Sequence, residues 1–400
     1  MKYITILGDG MADWDVEALG GKTPLDVAKK PNIDALAAKS ICGMAKTVPD
    51  GMKPGSDTAN LSVMGYDPTK YYTGRSPLEA VSVGVMLEDT DITFRTNFVT
   101  LSDEENYEDK TMVDYSAGEI STKEADELIK TLNEKLSDEI YSFYTGFSYR
   151  HILVQKNGKL TMTLIPPHDI SGRKVTEYLP SGENSGKLLE FMKKSAEILK
   201  DHPVNIERKK KGLNPANSIW IWGEGSKAVL PSFESLYGVK GGVVSAVDLI
   251  KGIAISADLE SVDVEGATGN VDTNFDGKAE ASIKLLENND FIYVHLEAPD
   301  ECGHRGELEN KILSIEMIDE KIVGPIISYM NSTGEDYRVL VMPDHPTPLK
   351  VKTHVMDPVP FFIYDSRKEE KGVSKYCEKE CAKTGLYEEK ACLLMKKLIG

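Results

Sequence analysis

Short apolar runs that end near glycine or a carboxylate recur along the chain. Residues 3–8 stop at Asp9-Gly10, Phe291–Leu296 leads to Asp300, 339–342 to Asp344-His345, 359–364 to Asp365, and 219–222 to Gly223-Glu224-Gly225. Apolar at consecutive positions rather than alternating ones, they predict strands covered on both faces. Between them, 31–39, 247–253 and 277–286 carry helical spacing, and Leu308, Ile312, Ile315, Ile318, Ile322, Ile326 and Met330 predict one long helix. This alternation predicts an α/β fold with a doubly wound sheet, in which ligands gather at the carboxyl ends of the strands.

The middle of the chain is patterned differently. Ile92, Phe94, Thr96 and Phe98 alternate with Thr93, Arg95 and Asn97, as in a strand with one covered face. Ser121 and Glu124 form a capping-box pattern ahead of Ala125, Leu128, Ile129, Leu132 and Leu136. Asn157-Gly158, between 152–155 and 160–164, predicts a two-residue hairpin. A helix through Leu188, Met192 and Leu199 and a strand at 204–206 complete a β-α-β-β-α-β succession, compatible with a ferredoxin-like unit. The expected organisation is an inserted α+β domain, residues 89–210, interrupting a core made of residues 1–88 and 211–400.

Composition narrows the partners. The 400 residues carry 47 Lys+Arg against 64 Asp+Glu, a formal net charge of −17. That field repels phosphate backbones and anionic lipid, which argues against nucleic acid and membrane surfaces as partners. The one dense basic run, Arg208-Lys209-Lys210-Lys211, reads as a solvated linker. No stretch reaches the ~20 apolar residues of a membrane span and no signal-peptide pattern opens the chain, so a cytoplasmic protein is expected. Five scattered cysteines do not suit a disulfide framework, and Cys377 and Cys381 read as incidental thiols on a helix.

Candidate chemistry collects at the strand ends. Asp9, Asp300 and Asp344 each lie just beyond a predicted buried strand, where any one alone reads as a cap or turn residue. His304 lies four residues after Asp300, His345 follows Asp344 directly, and His354 comes nine residues later, which accounts for three of only seven histidines. Carboxylate and imidazole are the ligands that divalent manganese, zinc or iron take, so these six residues point to a metal site. In Pro54-Gly55-Ser56-Asp57-Thr58-Ala59-Asn60 a turn precedes a predicted helix, which makes Ser56 a candidate nucleophile beside an anion held at the helix N-terminus. The alternative is that Ser56 or Asp57 is a plain N-cap. His295, inside a buried strand, reads as a core residue and His202 as a surface one.

The segments Asp9-Gly10-Met11-Ala12-Asp13, Pro54-Gly55-Ser56-Asp57-Thr58-Ala59, Tyr72-Thr73-Gly74-Arg75-Ser76-Pro77-Leu78-Glu79-Ala80, Ala298-Pro299-Asp300-Glu301-Cys302-Gly303-His304 and Asp344-His345-Pro346-Thr347-Pro348 carry a resemblance. Together with Pro166-Pro167-His168-Asp169-Ile170, they resemble the cofactor-independent phosphoglycerate mutases, in the shorter archaeal-type branch of the alkaline phosphatase superfamily. The resemblance implies an alkaline-phosphatase-like core with two divalent metal ions. One would be held by Asp300, His304 and His354, the other by Asp9, Ser56, Asp344 and His345. The implied metal is manganese, with magnesium, zinc or cobalt as substitutes, and no organic cofactor. Ser56, both ligand and nucleophile, would take the phosphoryl group of 3-phosphoglycerate and return it to the 2-hydroxyl of bound glycerate without 2,3-bisphosphoglycerate. A small phosphorylated carboxylate needs cationic partners, and the insertion offers Arg95, Arg150 and Arg173 with His151, His168 and Asp169. Surface charge is the other reading of Arg95 and Arg150. Lys278 is a further candidate for the phosphate, and the insertion would act as a lid that excludes water.

Residues 342–348, Thr353-His354 and 357–361 also resemble a bacterial subgroup of this branch proposed to act as homoserine kinase. ATP-dependent phosphotransfer to homoserine is therefore the second reading, followed by a phosphomonoesterase and a silent metal-binding scaffold. The oligomeric state is not readable from the sequence.

Overall fold

The apolar runs at the two ends of the chain pair into one eight-stranded sheet. Its order is Glu260–Val262, Gly241–Val244, Phe291–Leu296, Lys2–Gly8, Tyr337–Met342, Val359–Asp365, Ile41–Ala45 and Tyr387–Glu388. Lys2–Gly8 is parallel to both neighbours, with Gly8 opposite Leu296 and Leu7 opposite Met342. These three strands end together, so the residues that follow them meet at one edge. Val359–Asp365 runs antiparallel to both of its neighbours.

Ile4, Ile6, Ile292, Val294 and Val339 are fully buried, as continuous apolar runs require. Ile315, Ile318, Ile322 and Ile326 from the long helical stretch join the same core. Each such side chain contributes about 1.5–3 kcal/mol through burial. The stretch is not one regular helix: Leu308–Met317 and Gly324–Thr333 are joined by a wider π turn over Ile318–Val323.

The computed structural model describes all residues, Met1–Gly400, and divides into two units, Met1–Tyr72 with Val229–Gly400, and Thr73–Ala228. In the second unit, Tyr141–Phe147, Arg150–Gln155, Ile92–Leu101 and Ser218–Ser226 lie side by side, antiparallel throughout. Helices Thr122–Leu136 and Ser185–Leu199 bury Leu128, Leu132, Leu188 and Met192 against Phe94, Phe98, Leu153 and Ile219. The β-α-β-β-α-β succession is present, but three of its parts differ from expectation.

Residues 219–222, expected in the core sheet, belong to Ser218–Ser226, which pairs with Ile92–Leu101 in the five-stranded sheet of this unit. The expected strand at 204–206 lies inside helix Pro203–Lys210, which starts with Pro at its first turn and has His202 Nδ1 accepting the Val204 N–H at 3.3 Å. The hairpin is made by Tyr141–Phe147 and Arg150–Gln155 instead of forming around Asn157-Gly158. Asn157 does turn left-handed at φ 52°, yet beyond it only Met162–Thr163 is extended, and that piece pairs with Ser181–Gly182. The second unit also begins earlier and ends later than 89–210, because helix Ser76–Ser82 is tied to its sheet by the Ser76 hydroxyl donating to Thr93 O at 3.0 Å. No helix is long and apolar enough to cross a membrane.

Candidate metal centre and active site

Asp9 follows Lys2–Gly8, Asp344 and His345 follow Tyr337–Met342, and Asp300 and His304 stand on helix Ala298–Arg305 after Phe291–Leu296. Because those strands are adjacent and parallel, their ends deliver all five residues to one place, and His354 reaches it from the following loop. Two glycines permit the approach. Gly10 is left-handed at φ +61°, and a Cβ on it would stand 2.6 Å from Asp300 Cα. Gly303 presses helix Ala298–Arg305 against Thr347, where a Cβ would stand 2.8 Å from Thr347 Cγ2.

Ligand atoms of Asp300, His304 and His354 gather in one group, and those of Asp9, Asp300 and His345 in another. His304 Nε2 lies 2.9 Å from His354 Nε2 and 3.2 Å from Asp300 Oδ2. His304 Nδ1 donates to the Lys352 carbonyl at 3.0 Å, which fixes the ring with Nε2 facing inward. Asp344 stands apart from the second group. Its Oδ1 accepts the N–H groups of Gly10 (3.1 Å) and His345 (2.8 Å), and its Oδ2 lies 3.3 Å from His345 Nε2. Ser56 opens helix Ser56–Val63, half-buried, with Oγ 3.2 Å from His345 Nε2.

The charges explain what such a group requires. Burial, and then repulsion from Asp344, Asp300 and Glu297, pushes Asp9 well above the ordinary carboxylate range. Its Oδ1 is buried without a hydrogen-bond partner, 3.6 Å from His345 Nε2. Burial also pushes Asp300 up, but hydrogen bonds from His304 and His354 outweigh it and hold Asp300 well below its usual value. The Asp300 hydrogen bond raises His304 to about 9. An orphaned buried carboxylate oxygen and two imidazole nitrogens facing one another fit divalent cations, and hard oxygen with borderline nitrogen donors suit manganese or zinc.

Each carboxylate is oriented by a partner that sequence reasoning missed. His295 Nε2 donates to Asp9 Oδ2 at 3.0 Å, and its Nδ1 lies 3.3 Å from Ser245 Oγ. Burial lowers His295 to about 3, so it acts as a neutral imidazole. Asn60 Nδ2 donates to Asp344 Oδ2 at 2.8 Å and to Ser56 O at 2.9 Å, while its Oδ1 accepts the Tyr293 hydroxyl at 2.6 Å. The Thr347 hydroxyl donates to Asp300 Oδ1. The available signals were positional: His295 is opposite Leu7 in the sheet, two residues before Asp9, and Asn60 is one helical turn after Ser56.

The expected substrate contacts divide. In the second unit Arg95 lays its guanidinium 4.3 Å from the centre of the Trp222 ring and reaches Glu79 Oε2 with Nε at 2.9 Å. Arg75 Nε reaches the other oxygen of Glu79 at 2.6 Å. Burial pushes Glu79 up, but Arg95 and Arg75 outweigh it and hold it low. His168 packs edge-on against Trp222, 5.3 Å between centres, and Asp169 is 3.6 Å from it. Exposed Arg150 lies over Tyr149 at 5.4 Å, and exposed Arg173 donates to the Tyr178 hydroxyl at 3.3 Å.

His151 is not brought to this group's surface. It is buried beside Phe98, its Nδ1 accepts the Gly146 N–H at 3.1 Å, and burial lowers it to about 3. Lys278, in the first unit, is also fully buried, donates to His295 O at 3.3 Å, and is lowered by burial to about 8.

Comparison with known proteins agrees with this architecture. A family model described as 2,3-bisphosphoglycerate-independent phosphoglycerate mutase matches residues 37–205. A Geobacter sulfurreducens protein named a probable 2,3-bisphosphoglycerate-independent phosphoglycerate mutase is 48% identical over 400 residues, covering 100% of both chains. The Methanosarcina barkeri enzyme of that name is 48% identical over 386 residues, 96% of each chain. Among solved structures, a Pyrococcus horikoshii protein superposes with a TM-score of 0.82 at 29% identity, covering 100% of this chain and 97% of that one. The cofactor-independent phosphoglycerate mutase of Thermoplasma acidophilum gives 0.68 at 26% identity, covering 100% of both. With half its residues shared with full-length relatives and the same fold, the chain belongs to the 2,3-bisphosphoglycerate-independent phosphoglycerate mutase family.

Proposed function

We infer that the protein interconverts 3-phosphoglycerate and 2-phosphoglycerate without 2,3-bisphosphoglycerate. The observation that carries this reading is a serine hydroxyl 3.2 Å from a histidine at the meeting point of two carboxylates and three imidazoles, with Asp344 beside that histidine, in a chain whose full-length relatives bear the mutase name. Two divalent cations, manganese first, would be held by Asp300, His304 and His354 and by Asp9, Ser56, Asp344 and His345. When bound, they would neutralise phosphoryl oxygens and lower the pKa of a serine hydroxyl.

Ser56 Oγ attacks the phosphorus of 3-phosphoglycerate. An Oγ–P bond forms, the bond to the 3-oxygen breaks, and the serine proton ends on that oxygen. Glycerate stays bound and reorients, its 2-hydroxyl attacks the phosphoserine, and Ser56 recovers a proton. Ser56 opens helix Ser56–Val63, whose N-terminus would favour an anion held there. The Arg75–Glu79–Arg95 set, with Arg150, Arg173, His168 and Asp169, is the candidate partner of the substrate carboxylate. The relatives named above give no support to the homoserine kinase reading, and no contact in the structure favours it.

Purified protein with Mn2+ and 3-phosphoglycerate, without bisphosphoglycerate or nucleotide, is expected to yield 2-phosphoglycerate, and Ser56→Ala to abolish that yield. Free phosphate as the main product would favour an esterase. ATP-dependent phosphorylation of homoserine without mutase activity would overturn the reading.

A further inference from the structure

The loops that carry the candidate ligands share a buried cation. Lys311, on helix Leu308–Met317, is fully buried. Its ammonium has three N–H bonds and meets three acceptors: Asp13 Oδ2 at 2.7 Å, Thr347 O at 2.8 Å and Ala12 O at 3.3 Å. Ala12 and Asp13 stand three and four residues after Asp9, and Thr347 stands two after His345.

Asp13 extends the hub. Its Oδ1 accepts the Trp14 N–H at 2.7 Å, its Oδ2 also accepts the Leu349 N–H at 3.2 Å, and its own N–H donates to Glu378 Oε1 at 3.0 Å. The Thr347 N–H donates to Ala12 O at 3.3 Å, and the Thr347 hydroxyl donates to Asp300. One ammonium thus joins the segment after Asp9 to the segment after His345, and through Thr347 it touches the orientation of Asp300.

We propose that Lys311 is a positioning residue of the metal centre, holding residues 9–13 and 344–349 in the register that brings Asp9, Asp300 and His345 together. The proposal rests on reading that group as a metal site. A lysine suits the task because a single atom supplies three donors to acceptors on separate loops, whereas an arginine fork presents its donors in one plane. An ion pair with a purely structural role can be exchanged for apolar residues of similar volume without loss. A positioning pair cannot, because the two carbonyls and the loop register depend on it.

The test titrates Mn2+ alone calorimetrically into chelator-treated wild type, Lys311→Met and the double variant Lys311→Met/Asp13→Leu, and records the melting midpoint of each metal-free protein. Lys311→Met leaves Asp13 buried and unpaired and is expected to melt earlier. The double variant removes that burden, so it carries the test if the single variant does not fold. In the double variant the Mn2+ dissociation constant is expected to rise at least tenfold while the metal-free midpoint stays near wild type. An Mn2+ dissociation constant within twofold of wild type would overturn the proposal. Absence of Mn2+ binding by the wild type would instead overturn the metal reading beneath it.

Discussion

Gly303→Ala separates stability from function at this site. The glycine is not left-handed and sits inside helix Ala298–Arg305, so alanine gains about 1 kcal/mol of helix propensity. Against that, its Cβ would stand nearest the Thr347 backbone carbonyl oxygen and 2.8 Å from Thr347 Cγ2, so backbone as well as side chain must move. Carbon contacts settle at about 3.5–4.0 Å, so Thr347 must retreat by about 0.7–1.2 Å. Overpacking of that size costs about 1–3 kcal/mol, leaving a net destabilisation of roughly 0–2 kcal/mol. Thr347 also donates to Asp300 and accepts from Lys311, so its retreat moves a candidate ligand. Sites of this kind tolerate about 0.5 Å, and a displacement near 1 Å costs about 100-fold in rate. Mutase kcat is therefore expected to fall about 100-fold, while the denaturation midpoint falls by no more than a loss of about 2 kcal/mol allows. Wild-type kcat with unchanged Mn2+ affinity would refute the argument that this close approach sets the site.

Three further outcomes follow from the orienting bonds and from one acidic pair. His295→Phe removes the donor to Asp9 and should weaken Mn2+ binding by about 10–100-fold in a calorimetric titration. Asn60→Ala strands Asp344 Oδ2, Ser56 O and the Tyr293 hydroxyl, at about 1–3 kcal/mol for a group left unsatisfied. It should lower both the denaturant midpoint and kcat, whereas Tyr293→Phe, which deletes one of those bonds, should do less of each. Asp365 is held well below its ordinary range by the Arg367 hydrogen bond and by Arg338. As pH falls below about 4, the unfolded chain takes this proton first, so the stability the group contributes is present at neutral pH and lost on acidification. Urea titrations at pH 7 and pH 3 should show Asp365→Asn less stable than wild type at pH 7, with a narrower gap at pH 3.

The six metal-ligand candidates were legible because one geometric rule unites them. Parallel strands that start in register end in register, so chemistry after residues 8, 296 and 342 converges although it is scattered in sequence. What escaped notice lacks a local signature. His295 looks like any residue of an apolar run, and only its place opposite Leu7 turns its ring toward Asp9. Ser218–Ser226 has the composition of a core strand, and its pairing with Ile92–Leu101 is decided by long-range packing of Trp220 and Ile221 in the second unit. Asn157-Gly158 did make a turn, but Gly158 N–H donates to Thr90 O and the short extended piece beyond it, Met162–Thr163, pairs with Ser181–Gly182, so local turn chemistry lost to tertiary pairing. Arg150-His151 shows the limit of motif reading. Neighbours on a strand face opposite ways, so the arginine is exposed and the histidine faces Phe98.

The acidic balance of the chain gives these placements their consequence. A phosphorylated carboxylate approaching a protein of net charge −17 meets an unfavourable field, and at the strand ends Asp9, Asp300 and Asp344 add three carboxylates. Neither buried lysine of this region offsets them freely. Lys311 is matched by Asp13 at 2.7 Å, and Lys278 is desolvated enough to lie near 8. Side chains alone therefore leave this cluster repulsive to a phosphate, and on the proposed reading the metals would supply the compensating charge. In the second unit guanidinium groups are braced by protein contacts, since Arg75 and Arg95 each direct Nε at Glu79 and Trp222 supports the Arg95 plane. Positive charge is thus held by side chains in the second unit, whereas the aspartates and histidines of the first would need divalent cations to hold an anion.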